Sequence, residues 1–236
     1  MSAGFQCKKF YVAHDQCAMK VGTDGLLLGA FAPLPQPGRP ILDIGTGSGL
    51  ISLMLAQRSC GANAIDAIEL DNTAALQAAT NIANSPWPTA VQLIKGDILT
   101  YQSNKRYSLI VSNPPFFQQA LPATDARRHQ ARHTDSLPFA RLLEKAKALL
   151  VEEGVFAVVL PLVSAEIFCA LAQQQGWFVS RYCAVKATPN KPILRALLCL
   201  RLQPSTKTEY QLIITAADGS YSQDYKALLK DFYLKF

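Results

Sequence analysis

Three groups of residues in this chain have types and spacings suited to chemistry. They are the run Asp43-Ile44-Gly45-Thr46-Gly47-Ser48-Gly49, two later carboxylates at Glu69 and Asp97, and the run Asn113-Pro114-Pro115-Phe116. Glycines at alternate positions let a backbone turn tightly and meet a ligand without Cβ obstruction, while helix-terminal N–H groups face it. The spacing G-x-G-x-G is one residue short of the dinucleotide pattern G-x-G-x-x-G. An aspartate directly ahead of it suits a ligand with a positive amine better than a pyrophosphate. Glu69, 20 residues past Gly49, ends a β-like run, where a carboxylate can take both hydroxyls of a ribose. Asp97 ends the next such run, where it or its backbone can meet the amino group of adenine. Amine, ribose and adenine in that order describe S-adenosylmethionine. The expected cofactor contacts are therefore Asp43, Gly45, Thr46, Gly47, Gly49, Glu69 and Asp97, joined by Asn113.

The fourth β-like run leads straight into Asn113-Pro114-Pro115-Phe116. Two prolines fix φ and remove two backbone donors. That leaves the Pro114 carbonyl as a pure acceptor beside the Asn113 amide oxygen. Two acceptors converging on one point, with an aromatic ring alongside, would hold a planar conjugated –NH₂ group. Hydrogen bonds from that nitrogen draw its lone pair out of conjugation, and the base stacks on Phe116. Positioning and electrostatics suffice for such a reaction, with no metal or general base.

These residues need a scaffold that brings strand ends together, and the pattern supplies one. Strand-like runs at 40–44, 64–70, 90–96, 107–113 and 154–161 alternate with helical patterns at 49–58, 72–85, 137–150 and 164–175. That alternation is the signature of a doubly wound α/β sheet with helices on both faces. Gly61, Pro86, Gly154 and Gly176 follow the four helices as stop signals. Two further runs, 177–185 and 192–202, are separated only by Ala-Thr-Pro-Asn-Lys-Pro, too short for a parallel crossover, so they form an antiparallel hairpin. The expectation is a seven-stranded, mostly parallel sheet with an antiparallel terminal hairpin. The tail adds a strand-like 210–215, an Asp218-Gly219 turn and an amphipathic helix. No linker separates independent domains, so residues 39–236 read as one globular unit, with 1–38 as an N-terminal segment packing near the cofactor cleft. Within it, Lys20-Val21-Gly22-Thr23-Asp24-Gly25 fits either a tight loop over the cleft or a helix start capped by Thr23 or Asp24.

The chain has 236 residues, 50% of them hydrophobic and 17% charged, which excludes global disorder. No apolar run reaches the ~18–20 residues of a membrane span, and the first residues lack a signal-peptide core. A soluble cytoplasmic protein follows, with no membrane partner. The six cysteines are never closer than ten positions apart, so metal or redox spacing is absent. His14, His129 and His133 form no zinc-like pattern, and no metal is expected. Net charge is +6, and the stretch from Lys105 to Lys147 alone carries eight cations against three acids. The segment 117–137 is long for a connection in a compact domain. Its Arg127, Arg128 and Arg132 suit phosphates flanking a flipped base; a solvated loop with incidental charge is the other reading.

Together, the glycine run, Glu69, Asp97 and Asn-Pro-Pro-Phe resemble class I S-adenosylmethionine-dependent methyltransferases that act on amines. The likeness narrows further. The stretch FYVAHDQCAMKVGTDGLLLGAFAP, LDIGTGSGLISLMLAQR, IDAIELD, SNPPFF and YSQDYKALLKDFYL resemble the tRNA1(Val) N6-adenine methyltransferases from about Phe10 to the end. The resemblance implies a Rossmann-like sheet with a reversed last strand, Asn113, Pro114, Pro115 and Phe116 as the catalytic tetrad, and a tRNA adenine 3′ of the anticodon as substrate. No obligate protein partner is evident in the sequence. The family often has Tyr where this chain has Phe116; Phe keeps the stacking face. Guanine-N2 methylation of ribosomal RNA, glutamine methylation of a protein, and a non-catalytic RNA-binding module remain alternatives. The basic segment disfavours a protein substrate, and the intact acids disfavour loss of catalysis.

Overall fold

A computed structural model describes residues 3–115 and 138–235. The elements in chain order are β1 (Gly4–Gln6), β2 (Tyr11–Ala13), α1 (Thr23–Phe31), β3 (Ile41–Ile44), α2 (Leu50–Arg58), β4 (Ile65–Glu69), α3 (Asn72–Ala83), β5 (Val91–Lys95) and β6 (Tyr107–Ser112). They continue with α4 (Phe139–Leu149), β7 (Leu150–Pro161), α5 (Leu162–Gln174), β8 (Phe178–Lys186), β9 (Ile193–Arg201), β10 (Thr208–Ile213) and α6 (Gln223–Leu229). Strands β1 and β2 form a small antiparallel pair, and the other eight form one sheet in the order β10-β8-β9-β7-β6-β3-β4-β5. Only β9 runs against its neighbours. The reversed strand is thus the second arm of the hairpin, inserted between β7 and β8.

Strand residues alternate cleanly between two buried faces, as a sheet covered on both sides requires. Ile41, Leu109, Val111, Ala157, Val159, Leu197 and Cys199 point into one core with α1, α2 and the end of the chain. Leu42, Ile110, Phe156, Val158, Leu160, Leu198 and Leu200 point into the other, under α4 and α5.

Two expectations need correction. The sheet has eight strands, not seven, because β10 pairs in parallel with β8 along its whole length. The run at 210–215 is strand-like, but its partner is a segment more than twenty residues away, and no local pattern identifies it. Gly154 is also not a helix stop. The helix α4 ends at Leu149, and Leu150 is already extended. Pairing between β6 and β7 then skips from Tyr107–Leu150 to Leu109–Val155. Gly154 lies in that bulge, where an added Cβ would fall 2.6 Å from Leu150 Cγ. The remaining stops hold: Gly61 and Gly176 both adopt positive φ just past α2 and α5.

Strand order fixes where a ligand can sit. From β3 the chain winds outward through β4 to β5, then returns across to β6 on the other side of β3. The reversal leaves a crevice between the carboxyl ends of β3 and β6, the place where open α/β sheets bind ligands.

Candidate active site

The glycine run leaves β3 at this crevice. Gly45, Gly47 and Gly49 have φ of +70°, +56° and +84°. All three are left-handed, a conformation that costs a residue with Cβ roughly 1–2 kcal/mol. Among the described residues an added Cβ at Gly45 or Gly47 would meet nothing within 4 Å, whereas at Gly49 it would touch Ala78 of α3. Glycine is therefore demanded by backbone angle at the first two positions, and the space beside them is free for a ligand. The N–H groups of Gly45 and Thr46 donate to the Ile68 carbonyl at 2.9 and 3.0 Å, tying the turn to β4.

Asp43 is fully buried beneath the turn. Its Oδ2 accepts from the Thr46 and Ser52 hydroxyls, each at 2.7 Å, while Oδ1 has no partner among the described residues. Burial pushes this carboxyl up to about 6; the two hydroxyls pull it down, and the Glu69 charge adds a smaller upward push. A carboxyl whose folded pKa exceeds its unfolded one contributes stability at low pH that is lost as pH rises through the folded value. Asp43→Asn keeps an acceptor for both hydroxyls and never ionises. Relative to wild type, the variant should gain roughly 1–2 kcal/mol of unfolding free energy between pH 5 and pH 8. Urea unfolding of both proteins at the two pH values checks this, and a gap independent of pH contradicts it.

Glu69, the last residue of β4, is half-buried and latched on both oxygens. Oε2 accepts from Gly47 N at 2.7 Å and Oε1 from Asp71 N at 2.9 Å. A carboxylate has about four acceptor sites, so two remain for a ligand's hydroxyls. Asp97 follows β5, and its Oδ1 accepts from Leu99 N at 2.8 Å. Gly96, beside it, donates to the Glu69 carbonyl at 2.8 Å, which aligns the ends of β4 and β5.

Across the crevice, Ser112 closes β6 with its hydroxyl donating to the Ile44 carbonyl at 2.9 Å. This bond locks the end of β6 against the start of the glycine turn. Asn113 comes next, with its Oδ1 buried and lacking a partner among the described residues. Pro114 is buried and Pro115 exposed. An unpaired buried acceptor costs about 1–3 kcal/mol, so two of them, Asp43 Oδ1 and Asn113 Oδ1, on adjacent strand ends call for donors brought by a ligand. The structure thus gathers Asp43, Gly45, Thr46, Gly47, Gly49, Glu69, Asp97, Asn113, Pro114 and Pro115 along one edge of the sheet. Phe116, Arg127, Arg128 and Arg132 lie outside the described residues. Among the described residues, no group of three or more His, Cys, Asp or Glu side chains is arranged to hold a metal ion.

Two residues that the sequence reading misses join this site to the N-terminal segment. Asn81 of α3, almost fully buried, donates to the Ser48 carbonyl inside the glycine run at 2.8 Å and exchanges two bonds with the Ala13 backbone. One turn earlier, Gln77 donates to Asp15 at 2.7 Å and accepts from Gln16 N at 3.0 Å and Cys17 Sγ at 3.1 Å. One face of α3 therefore supports both the turn and residues 13–17. Burial, then the Glu69 and Asp71 carboxylates, push the Cys17 thiol up to about 11, so it is neutral at physiological pH. Neither capping residue proposed for 20–25 acts as a cap. Helix α1 starts at Thr23 with Gly22 in the cap position and no side-chain cap. The Asp24 carboxylate pairs with Arg195 of β9 instead.

A family profile for the methyltransferase small domain matches residues 19–164. The chain is 49% identical to a tRNA1(Val) (adenine(37)-N6)-methyltransferase of Serratia proteamaculans, over 98% of this chain and 90% of that one. It is 48% identical to the protein of the same name from Dickeya chrysanthemi, over 99% and 95%. Among solved structures, a predicted O-methyltransferase of Agrobacterium tumefaciens superposes with a TM-score of 0.69 at 14% identity, covering 89% of this chain and 96% of that one. A glycopeptide N-methyltransferase complexed with S-adenosyl-L-methionine gives 0.57 at 13% identity, covering 76% and 95%. These two likenesses show the fold, a class I methyltransferase sheet. With the small-domain profile spanning more than half its length and near-complete relatives at almost half identity, the chain belongs to the methyltransferase small domain family and, within it, to the group of the tRNA1(Val) (adenine(37)-N6)-methyltransferases.

Proposed function

We propose that this chain methylates the exocyclic N6 amine of an adenine in a tRNA anticodon loop, adenine 37 of tRNA1(Val), with S-adenosylmethionine as donor. The observation that carries this reading is a pair of buried acceptors, Asp43 Oδ1 and Asn113 Oδ1, at the neighbouring ends of β3 and β6, neither with a partner among the described residues. The donor supplies an electrophilic methyl group on a sulfonium. The residues present fit such a ligand. Open flanks at Gly45 and Gly47 admit it against the backbone, Glu69 keeps acceptor capacity for ribose hydroxyls, and Asp97 stands at the next strand end for adenine. The Asp43 carboxylate favours a positive charge above the turn.

On the facing side, Asn113 Oδ1 and the Pro114 carbonyl accept the two N–H bonds of the target amine. Their pull localises the nitrogen lone pair and fixes its direction. Acceptors held in place before the reaction cost no reorganisation when charge develops on the amine. Stacking on Phe116 and phosphate contacts by Arg127, Arg128 and Arg132 complete the proposed substrate contacts. Among the described residues no helix is long and apolar enough to cross a membrane, and a tRNA substrate places the reaction in the cytoplasm.

Incubation with labelled S-adenosylmethionine and unmodified tRNA, followed by nucleoside analysis, tests the proposal. Label in N6-methyladenosine is the expected result. Label in N2-methylguanosine or in protein assigns a different amine and overturns it. Cofactor binding without transfer to any substrate would point to an RNA-binding module.

A further inference from the structure

Between Glu166 and Glu209 the chain carries six cations, Arg181, Lys186, Lys191, Arg195, Arg201 and Lys207, and not one Asp or Glu. The fold sorts them by height. Arg201 pairs with Phe178 at the amino edge of the sheet, and Lys207 precedes β10 at that same edge, where it binds Glu209. Lys186 and Lys191 lie at the opposite edge, at the root and in the turn of the β8–β9 hairpin. This is the edge that carries the glycine turn and Asn113.

Register gives the hairpin's position relative to the catalytic corner. Ser112 lies opposite Val158, and Val158 opposite Leu198. Ile193, opposite Lys186, is five residues further up β9. At ~3.3 Å per residue the hairpin rises roughly 10 Å beyond Asn113-Pro114. In the sheet order, β9 is two strands from β6 and β8 is three, or about 10–15 Å to the side. The hairpin is therefore a wall flanking the corner. It is braced by the Asp24–Arg195 pair, which spends the Arg195 charge inside the fold. Lys191 is exposed and Lys186 half-exposed, its Nζ 3.5 Å from the Pro189 carbonyl within the turn. Among the described residues neither lysine has an acidic partner, and no acid lies within twenty residues of Lys186 on the N-terminal side except Glu166.

We infer that the β8–β9 hairpin is a phosphate-backbone docking surface, with Lys186 and Lys191 binding the RNA strand that flanks the target nucleotide. The inference rests on the proposed RNA substrate. A stacked strand carries one phosphate per ~3.4 Å of axis, so a wall 10–15 Å from the corner meets phosphates about three to four nucleotides from the target. Such contacts hold the strand in register and carry no sequence information. Arg127, Arg128 and Arg132, proposed for the phosphates next to the flipped base, lie outside the described residues.

The test uses the full-length chain and an unmodified tRNA1(Val) transcript, with binding measured across a salt series. Lys186→Ala/Lys191→Ala should reduce the slope of log K against log salt by about 2, one per phosphate lost. The KM for tRNA should rise about tenfold, with kcat at saturating tRNA and the Kd for S-adenosylmethionine unchanged. Lys186→Arg/Lys191→Arg should restore slope and KM. Lys207→Ala, which removes a cation from the same run at the far edge, should behave as wild type. An unchanged slope in the double alanine variant overturns the inference, as does an equal loss in Lys207→Ala, which would mean that net charge alone matters. A wild-type chain that binds and methylates the transcript separates those outcomes from failure of the proposed function; a wild-type chain that does neither overturns both.

Discussion

Asn113→Ala should lower the single-turnover methylation rate by roughly 10²–10³-fold, the loss typical when one preorganised polar group is removed from a reacting centre. The Kd for S-adenosylmethionine should change no more than about threefold, because the glycine turn, Glu69 and Asp97 do not depend on this side chain. Asn113 Oδ1 is buried at the end of β6 and accepts no hydrogen bond from the described residues, a cost that a ligand's donor would offset. Its backbone is held by the Ser112–Ile44 bond beneath it, so truncating the side chain should leave the strand end in place. Asn113→Asp supplies the control. It keeps an acceptor oxygen in the same position and should retain more activity than the alanine variant. Equal activity of Asn113→Ala and wild type would remove Asn113 from the chemistry.

The second large effect falls on cofactor affinity. Glu69→Ala removes two charge-assisted bonds at once, those from Gly47 N and Asp71 N, along with the acceptor capacity proposed for ribose. The affinity loss comes from the ribose contact: a hydrogen bond to a charged group contributes about 1.5–3 kcal/mol, roughly 10–150-fold in affinity, so the Kd for S-adenosylmethionine should rise up to about 100-fold. Glu69→Gln retains one acceptor oxygen and should lie between the two. At saturating donor, kcat should stay near wild type, since Glu69 stands on the far side of the turn from the target amine. Calorimetric titration with the donor and a rate measurement at high donor concentration give both values. An unchanged Kd in Glu69→Ala would reduce Glu69 to a structural latch.

The chemistry of this site was legible in the sequence where one local rule governs one local feature. Glycines at alternate positions after a β-run predict left-handed backbone, and Gly45, Gly47 and Gly49 adopt it. Acids that end consecutive β-runs predict groups on one sheet edge, and Glu69 and Asp97 lie there. The short link between two β-runs predicts an antiparallel hairpin, and β8 and β9 form one. What escaped depends on distant partners. The bonds of Asn81 to Ser48 and Ala13 span 33 and 68 residues, and no spacing rule connects an asparagine in mid-helix to either. Pairing of β10 with β8 is of the same kind, a long-range parallel match that adds the eighth strand. Gly154 misled for a different reason. A glycine after an amphipathic helix fits a cap and a bulge equally well, and only the register of β6 against β7 distinguishes them.

Asn81 and Gln77 also change how the N-terminal segment should be viewed. Through α3, residues 13–17 share a support with the Ser48 carbonyl, so the segment is tied to the glycine turn by hydrogen bonds rather than merely near it.

The proposed reaction sets the donor on the glycine turn, the target amine at the asparagine–proline corner and the methyl group between them. A crystal structure of the protein with S-adenosylmethionine or its demethylated product tests that placement most directly. The expected result shows the ribose hydroxyls on Glu69, the donor backbone against Gly45 and Gly47, and the sulfur directed across the crevice toward Asn113. A donor bound elsewhere, or one bound on the turn with its sulfur directed away from Asn113 and Pro114, would contradict the account.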